Sequence, residues 1–292
     1  MINSAAMTTP ITGAMTIDVE DYFQVQAFAD VISRDDWERW PRRVEASTAW
    51  LLDALAARNH RATFFTLGWI AERHKSLIRR IVAAGHELAS HGYFHQLVDQ
   101  IGPVKFRADL IRARALLQDI SGVSVTGYRA PTFSIGPHVP WAWDILHETG
   151  HRYSSSLFPV RHDLYGTPRG ARTPFQPPGL ALWEFPLTTI PRFGRNWPCA
   201  GGGYFRLLPY TAYRTAVRAL HRREQTRAIF YTHPWEIDTE QPLVPGARLS
   251  ARFRHRVNLH RMKPRFDRLL TDFTWDRMDR VFADQLGQIN SL

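Results

Sequence analysis

The chain is poor in cysteine and in long apolar runs. Its 292 residues include a single cysteine, Cys199, which excludes an intramolecular disulfide and fits a reducing compartment. The first 14 residues lack a basic segment followed by an apolar core, and no run of 18 apolar residues occurs. We therefore expect neither a secretory signal nor a transmembrane helix, and we expect a cytoplasmic protein.

Acidic residues are also fewer than basic ones, 27 against 37, which gives a net charge of +10. Such an excess is found in proteins that bind nucleic acids or acidic polymers. The sequence contains no nucleic-acid-binding module, so we expect no nucleic-acid partner. A basic surface that faces an anionic glycan or a membrane is the alternative. The densest basic region comprises Arg248, Arg252, Arg254, Arg256, Arg261, Lys263, Arg265 and Arg268.

Strand-like and helix-like segments alternate along most of the chain. Helical periodicity occurs over 44–58, 70–84, 106–120, 141–149 and 208–222. Alternation of this kind predicts parallel strands connected by crossover helices. The length suits one α/β barrel or two small domains. No internal repeat, low-complexity tract or clear linker occurs, so we predict a single domain over 1–292 with a C-terminal extension at about 240–292.

Two histidines and an acidic cluster form a candidate metal site. His91 and His95 are four residues apart, so a helical turn would place both imidazoles on one side, where they could bind one metal ion. A catalytic zinc usually has three protein ligands, so a carboxylate is also needed. Asp18, Glu20 and Asp21 end an apolar, β-branched run, and on a strand Asp18 and Glu20 would share a face. Each pattern also occurs in ordinary polar surfaces, but together they favour a metal site.

Two further polar residues follow predicted strands. Arg129 lies in the strand-like run 125–131, and His233 follows the run 228–232. In parallel sheets and barrels, functional residues gather at the C-terminal ends of strands. The acidic cluster, the histidine pair, Arg129 and His233 should therefore lie on one edge, which predicts a single active site.

Several segments resemble a known family. IDVEDYF, ATFFTLGW, GHELASHGYFH, GYRAPTFSI and IFYTHPWEID occur in the order seen in polysaccharide deacetylases of the carbohydrate esterase 4 (NodB-homology) family. The resemblance runs from about Thr16 to Phe273. GGGYFRLLPY, HPWE and ARFRHRVNLH resemble the branch associated with exosortase-linked exopolysaccharide loci. The resemblance implies a distorted (β/α) barrel and a divalent metal, usually zinc, held by one acid and two histidines.

Carried over by position, the metal histidines are His91 and His95, and Asp18 is the general base. DVED departs from the family's adjacent Asp-Asp pair, so the metal-binding acid is either Glu20 or Asp21. Glu20 has the D-x-D-like spacing of a related peptidoglycan deacetylase branch.

The resemblance also assigns the residues around the base and the acid. Arg129, in the RAP motif, would hold the base, and His233 would be the general acid. Glu184 is the candidate carboxylate partner of His233. Relatives often carry an acid after the tyrosine where this chain has serines, in Tyr153-Ser-Ser-Ser156.

The substrate-binding residues implied are Tyr93, Pro131, Tyr204 and Trp235. Trp69 is a further aromatic candidate for this rim, although a core position is the more ordinary role for it.

The activity implied is hydrolysis of N-acetyl groups from amino sugars of an exopolysaccharide or its lipid-linked precursor. The partner would be an N-acetylated polysaccharide or a lipid-linked oligosaccharide, with peripheral contact to the membrane. Two alternatives remain open: a small-molecule amidohydrolase of the allantoinase-like branch, and a non-catalytic carbohydrate-binding protein.

Overall fold

A computed structural model describes residues 12–288. Residues 1–11, within the region where no secretory signal is expected, lie outside the described residues, as do residues 289–292. Of the strands in residues 12–288, we number β1 (Gly13–Val19), β2 (Thr63–Thr66), β3 (Glu87–Ser90), β4 (Gly127–Tyr128), β5 (Tyr153–Ser154), β6 (Trp183–Glu184), β7 (Thr189–Arg192), β8 (Arg195–Pro198), β9 (Ile229–Thr232) and β10 (Trp275–Asp276).

The helices of the same region are α1 (Val44–Ala56), α2 (Gly68–Arg73), α3 (Lys75–Ala83), α4 (Val98–Ser121), α5 (Trp141–Glu148), α6 (Gly202–Leu207), α7 (Tyr210–Glu224), α8 (Leu249–Arg256), α9 (Met262–Asp272), α10 (Met278–Val281) and α11 (Ala283–Gln288). Short 3-10 turns occupy Gln26–Phe28, Arg34–Arg39, Pro131–Phe133, Pro234–Ile237 and Leu259–Arg261.

One parallel sheet organises the molecule. β1 pairs with β2, β9 and β10, and the sheet continues from β2 through β3, β4 and β5 to β6. All seven residues of β1 are buried, as expected of a strand covered on both faces. Helices connect most of the successive parallel strands, whereas β5 and β6 are connected by an irregular segment. The predicted distorted (β/α) barrel and its single domain are confirmed.

Three local features differ from the predicted elements. The helix predicted over 70–84 is divided into α2 and α3, because His74 leaves the helical conformation at φ −126° and ψ 52°. The helix predicted over 106–120 begins earlier, at Val98, and is kinked where Gly102 adopts φ 73° before Pro103. The antiparallel hairpin β7–β8 was not predicted, because its exposed strands lie in a segment dense in proline and glycine.

The C-terminal region is part of the barrel. Trp275 in β10 pairs with Gly13 in β1, and Phe266, Leu269 and Leu270 of α9 are buried in the main core. The sheet therefore includes residues from within the predicted extension at about 240–292.

A buried carboxylate lies at the N-terminal end of β3, at the opposite end of the strand from the histidines. Glu87 accepts hydrogen bonds from Thr63 Oγ1 at 2.5 Å, Tyr153 Oη at 2.8 Å and the Asp279 backbone N–H at 3.2 Å. Burial and then the negative charge of Asp279 raise the pKa of Glu87 to about 7, although the hydrogen bonds oppose the shift. Arg277, which pairs with Asp279, is the nearby cation.

This pKa predicts how stability depends on pH. Because the pKa is raised on folding, the folded chain binds the Glu87 proton more tightly than the unfolded chain. The stabilisation is fully present below about pH 4.5 and is lost as pH rises through about 7. Glu87→Gln keeps the shape without the titration. Between pH 5 and pH 8, we expect the parent to lose about 1–3 kcal/mol of unfolding free energy relative to Glu87→Gln, measured by urea denaturation.

The exposed Glu240 provides the control, and Glu240→Gln should leave the pH dependence of the parent unchanged. An unchanged pH dependence in Glu87→Gln would show that Glu87 stays ionised in the folded chain.

Candidate active site

The polar residues predicted from the sequence meet at one edge of the sheet. Asp18 is the second-last residue of β1, and Glu20 follows the end of that strand. His91 follows β3, Arg129 follows β4 and His233 follows β9. Because parallel strands end at the same edge, residues that are more than 200 positions apart in sequence become neighbours.

Glu20, His91 and His95 form a cluster that could hold a metal, which we call the metal triad. One ligand atom from each lies within 4.8 Å of the others, and all three residues are buried. His91 Nδ1 lies 2.8 Å from the Arg129 carbonyl oxygen. This contact assigns the proton to Nδ1 and leaves Nε2 with a free lone pair, as is usual for metal-binding histidines.

The triad has the features expected of residues that share a metal ion. Glu20 Oε2 is buried and accepts no hydrogen bond of normal geometry, although His95 Nε2 lies 2.9 Å away. A buried polar atom without a hydrogen bond is costly and calls for another partner. Two imidazoles and one carboxylate are a donor set that zinc accepts. The residues present therefore fit a divalent cation.

The loop that carries the histidines is not the helical turn that their spacing suggested. Gly92 and His95 both adopt left-handed conformations, at φ 76° and φ 51°. A Cβ atom on Gly92 would lie 2.8 Å from the Asp109 carboxylate, so both the conformation and the space require glycine. Arg34 stabilises the loop by donating to the carbonyl oxygens of Phe94 at 2.7 Å and His95 at 3.1 Å.

Asp21, the alternative metal-binding acid, lies outside the triad. Its carboxylate accepts hydrogen bonds from the backbone N–H groups of Tyr22, Arg43 and Val44, at 2.9, 2.7 and 3.0 Å. The last two belong to the start of α1, so Asp21 caps that helix from a distant position in the chain. Burial raises the pKa of Asp21 to about 6 despite these bonds. The structure therefore favours Glu20 as the acid of the triad.

Arg129 is fully buried beneath Asp18. Its Nη1 donates to Asp18 Oδ1 at 2.7 Å and to Thr16 Oγ1 at 2.7 Å, and its Nε donates to the Ser155 carbonyl oxygen at 3.0 Å. Ser155 Oγ accepts from Nη2 at 3.1 Å. Oxygens of Ser155 thus accept from two of the guanidinium nitrogens. Asp18 forms the single carboxylate contact recorded for this guanidinium among residues 12–288.

His233 lies close to Glu20 of the triad and has a partner that the sequence analysis missed. His233 Nδ1 lies 2.8 Å from Glu236 Oε1, and Arg206 Nε donates to Glu236 Oε2 at 2.7 Å. The suggestion that Glu184 supports His233 is wrong, because Glu184 instead accepts from the backbone N–H groups of Ser156 and Leu157 and from a tryptophan ring. The signal for Glu236 was its spacing in HPWE, where three residues span one 3-10 turn.

The reactive atoms are close to one another. His233 Nε2 lies 3.9 Å from Asp18 Oδ2 and 3.7 Å from Glu20 Oε1. Burial would lower the pKa of His233, but Glu236, Glu20 and Asp18 raise it to about 9. Burial would likewise raise the pKa of Glu20, but His95, His233 and His91 lower it to about 2. The arrangement favours a charged carboxylate at Glu20 and a protonated ring at His233.

A cleft that is open to solvent contains the triad, Asp18 and His233. Tyr204 and Trp235, two of the predicted substrate-binding residues, line this cleft. Trp235 Nε1 also donates to Glu20 Oε1 at 3.2 Å, which orients the carboxylate.

The other two predicted substrate-binding residues do not line the cleft. Tyr93 is buried beneath the Arg112 guanidinium, and its hydroxyl donates to Glu72 at 2.6 Å. Pro131 is buried in the turn after β4, and its neighbour Thr132 lines the cleft instead. Trp69 packs in the core, which is the more ordinary of the two roles considered for it.

Two family models match the chain. The model described as "Polysaccharide deacetylase" matches residues 32–154, which include His91, His95 and Arg129. A domain of unknown function, DUF3473, matches residues 155–283 and includes His233. The sheet crosses the boundary between them, because β5 in the first region pairs with β6 in the second.

Among curated relatives, a peptidoglycan-N-acetylglucosamine deacetylase from Bacillus cereus is 31% identical over 81 residues. This match covers 28% of this chain and 30% of the relative. A chitooligosaccharide deacetylase from Sinorhizobium fredii is 38% identical over 97 residues, which are 33% of this chain and 42% of the relative. The matches therefore span less than half of the length of these relatives.

Solved structures support the fold over nearly the whole chain. A Mycobacterium smegmatis protein assigned as a polysaccharide deacetylase has a TM-score of 0.60 at 19% identity, covering 98% of this chain and 93% of that one. The peptidoglycan N-acetylglucosamine deacetylase Bc1960 has a TM-score of 0.52 at 14% identity, covering 94% and 89%. Over residues 32–154 the chain thus matches the polysaccharide deacetylase model, and over nearly all of its length it shares the fold of these solved structures.

Proposed function

We propose that this protein is a metal-dependent hydrolase that removes N-acetyl groups from amino sugars of a polysaccharide. One observation carries the proposal: Asp18 and His233 lie beside the metal triad, in one open cleft. Amide hydrolysis requires a proton to be removed from water and a proton to be supplied to the departing amine. The site has a separate residue for each transfer.

Asp18 is the residue that we assign to the first transfer. Its Oδ1 accepts from Arg129, whereas Oδ2 faces the cleft towards His233. The guanidinium fixes the carboxylate in place, so that Asp18 can accept a proton from the attacking water. A divalent cation bound by the triad would act as a Lewis acid that polarises the amide carbonyl.

His233 is the residue that we assign to the second transfer. Its Nδ1 is held by Glu236, so Nε2 points to the cleft and can donate to the amine that leaves. Arg206 balances the charge of Glu236, and this buried pair fixes the orientation of the ring. The acid is thus positioned from the β9 side of the barrel, independently of the base.

The proposed substrate follows from the relatives. The names of the matched relatives specify peptidoglycan N-acetylglucosamine and chitooligosaccharides, which contain N-acetylated hexosamines. The narrower proposal is an exopolysaccharide or its lipid-linked precursor, which rests on the segments GGGYFRLLPY, HPWE and ARFRHRVNLH. Zinc as the metal and a cytoplasmic location also stay predictions.

The first test is acetate release from N-acetylated oligosaccharides by the metal-restored chain. We expect activity that is lost on metal depletion and recovered on adding zinc. Asp18→Asn should reduce turnover roughly 10²–10⁴-fold, because an amide cannot accept the proton from water. Its metal content should remain that of the parent.

Allantoin, a cyclic ureide, serves as the competing substrate. Turnover of allantoin without acetate release from any N-acetylated oligosaccharide would identify an amidohydrolase of the other branch. Sugar binding without turnover of either substrate would identify a non-catalytic protein. Near-normal turnover in Asp18→Asn would mean that another group is the base.

The second test separates the role of His233 from general damage to the site. His233→Ala should slow amide cleavage far more than cleavage of an aryl acetate, because an aryloxide leaves without a proton and an amine does not. Glu236→Gln should act in the same direction with a smaller loss, since the ring remains but its charged partner is removed. The ratio of the amide-cleavage rate to the ester-cleavage rate, compared with that of the parent, measures the loss of proton donation.

His162, another histidine that lines the cleft, is the matched control. His162→Ala should change both rates by the same factor. If His233→Ala also lowers both rates equally, then His233 positions the substrate or the metal rather than donating a proton.

A further inference from the structure

Helix α8 has one face in the protein and an unusual second face. Ala251 and His255 are buried, and the His255 ring stacks on Trp235 at 4.1 Å and lies against Phe28 at 4.8 Å. On the opposite side, Leu249 and Phe253 are 79% and 65% exposed. Because they are four residues apart, they form one apolar stripe on the solvent side of the helix. Firm packing of the inner face holds this stripe outward.

Basic residues flank the apolar stripe. Arg248, Arg252 and Arg256 follow one another at four-residue intervals, so they form a parallel row beside Leu249 and Phe253. Arg248 pairs with an exposed aspartate, and Arg256 donates to a backbone carbonyl. Within residues 12–288, no hydrogen bond or ion pair is recorded for the Arg252 side chain. The helix thus combines exposed apolar groups with cations, on a chain of net charge +10.

The stripe continues into the mouth of the cleft. Phe253 lines the cleft, together with Leu164 and Leu207, which are 44% and 53% exposed. These three side chains come from three separate segments of the chain. Apolar side chains of this size are normally covered when they are clustered at a surface. Because they line the cleft and are exposed, a surface that covers them would lie against the cleft.

We propose that α8 and the apolar mouth, formed by Leu164, Leu207 and Phe253, bind the surface of an anionic lipid bilayer. A helix with exposed leucine and phenylalanine beside a row of arginines is the pattern of interfacial helices, whose apolar side enters the bilayer while the cations meet the phosphates. A soluble polyanion would account for the arginines but not for the exposed leucines and phenylalanine. In residues 12–288, no helix is long and apolar enough to cross a membrane.

Docking in this orientation places the cleft entrance against the bilayer. If the proposed deacetylation is correct, the geometry then favours an amino sugar attached to a membrane lipid over a free polymer. This consequence rests on the proposed function. The lipid contact itself does not rest on the proposed function, because α8 carries no residue that we assign to catalysis.

The test is flotation of the full chain with two kinds of vesicles. One kind contains phosphatidylcholine alone, and the other also contains about 30–40% phosphatidylglycerol, which makes the bilayer strongly anionic. We expect binding to the anionic vesicles that weakens with added salt. Leu249→Ser combined with Phe253→Ser should weaken it roughly tenfold or more, since two large apolar groups are lost. Arg252→Gln should weaken it roughly fivefold, which corresponds to about one cation at the surface.

Phe193 is the matched control, because this phenylalanine is 81% exposed and flanked by arginines but belongs to the β7–β8 turn and does not line the cleft. Phe193→Ser should bind vesicles like the parent, and circular dichroism should show all variants folded. Absence of vesicle binding, equal loss in Phe193→Ser, or binding to dextran sulfate but not to vesicles would overturn the proposal. Acetate release from a soluble oligosaccharide is measured separately, so failure of the lipid contact is distinguishable from failure of the proposed activity.

Discussion

The site depends on the burial of one guanidinium. Arg129 has no solvent contact, and its donors reach β1 through Thr16 and Asp18 and the segment after β5 through Ser155. Leaving one member of a buried ion pair without its partner typically costs about 3–5 kcal/mol, so Asp18 is strongly held in its observed position. The carbonyl oxygen of Arg129 also accepts from His91 Nδ1. One residue therefore orients both the proposed base and a residue of the metal triad.

A second buried ion pair performs the corresponding role for His233. Arg206 donates to Glu236, which holds His233, and the same guanidinium donates to the carbonyl oxygens of His255 and Val257 at 3.0 and 2.7 Å. These carbonyls belong to the C-terminal end of α8, where a cation is favoured. The position of the proposed acid is thus connected to the helix that carries the proposed lipid-binding stripe. Arg206 therefore contacts both the partner of the proposed acid and the end of the helix proposed to bind lipid.

Much of this arrangement could be predicted from the sequence, because it follows from where strands end. The β-branched run before Asp18 and the apolar run before His233 identify buried parallel strands, and parallel strands align their ends. What could not be predicted depends on side chains that meet through tertiary packing. Glu20 is favoured over Asp21 because the Asp21 carboxylate accepts hydrogen bonds from the first N–H groups of α1. The irregular loop between the histidines likewise depends on contacts with distant residues that spacing alone does not encode.

We infer that the triad binds a metal, with Glu20 as its acid. The most direct measurement is elemental analysis of metal-reconstituted chains, comparing Glu20→Gln with Asp21→Asn. Both variants neutralise a buried carboxylate, one position apart, so the pair separates ligation from general damage. We expect Asp21→Asn to lose about 1 kcal/mol of unfolding free energy, because a helix cap is lost, but to retain one metal per chain. Glu20→Gln should lose most of its metal while remaining folded. A full metal content in Glu20→Gln, with loss of metal in folded Asp21→Asn, would contradict Glu20 as the acid of the triad.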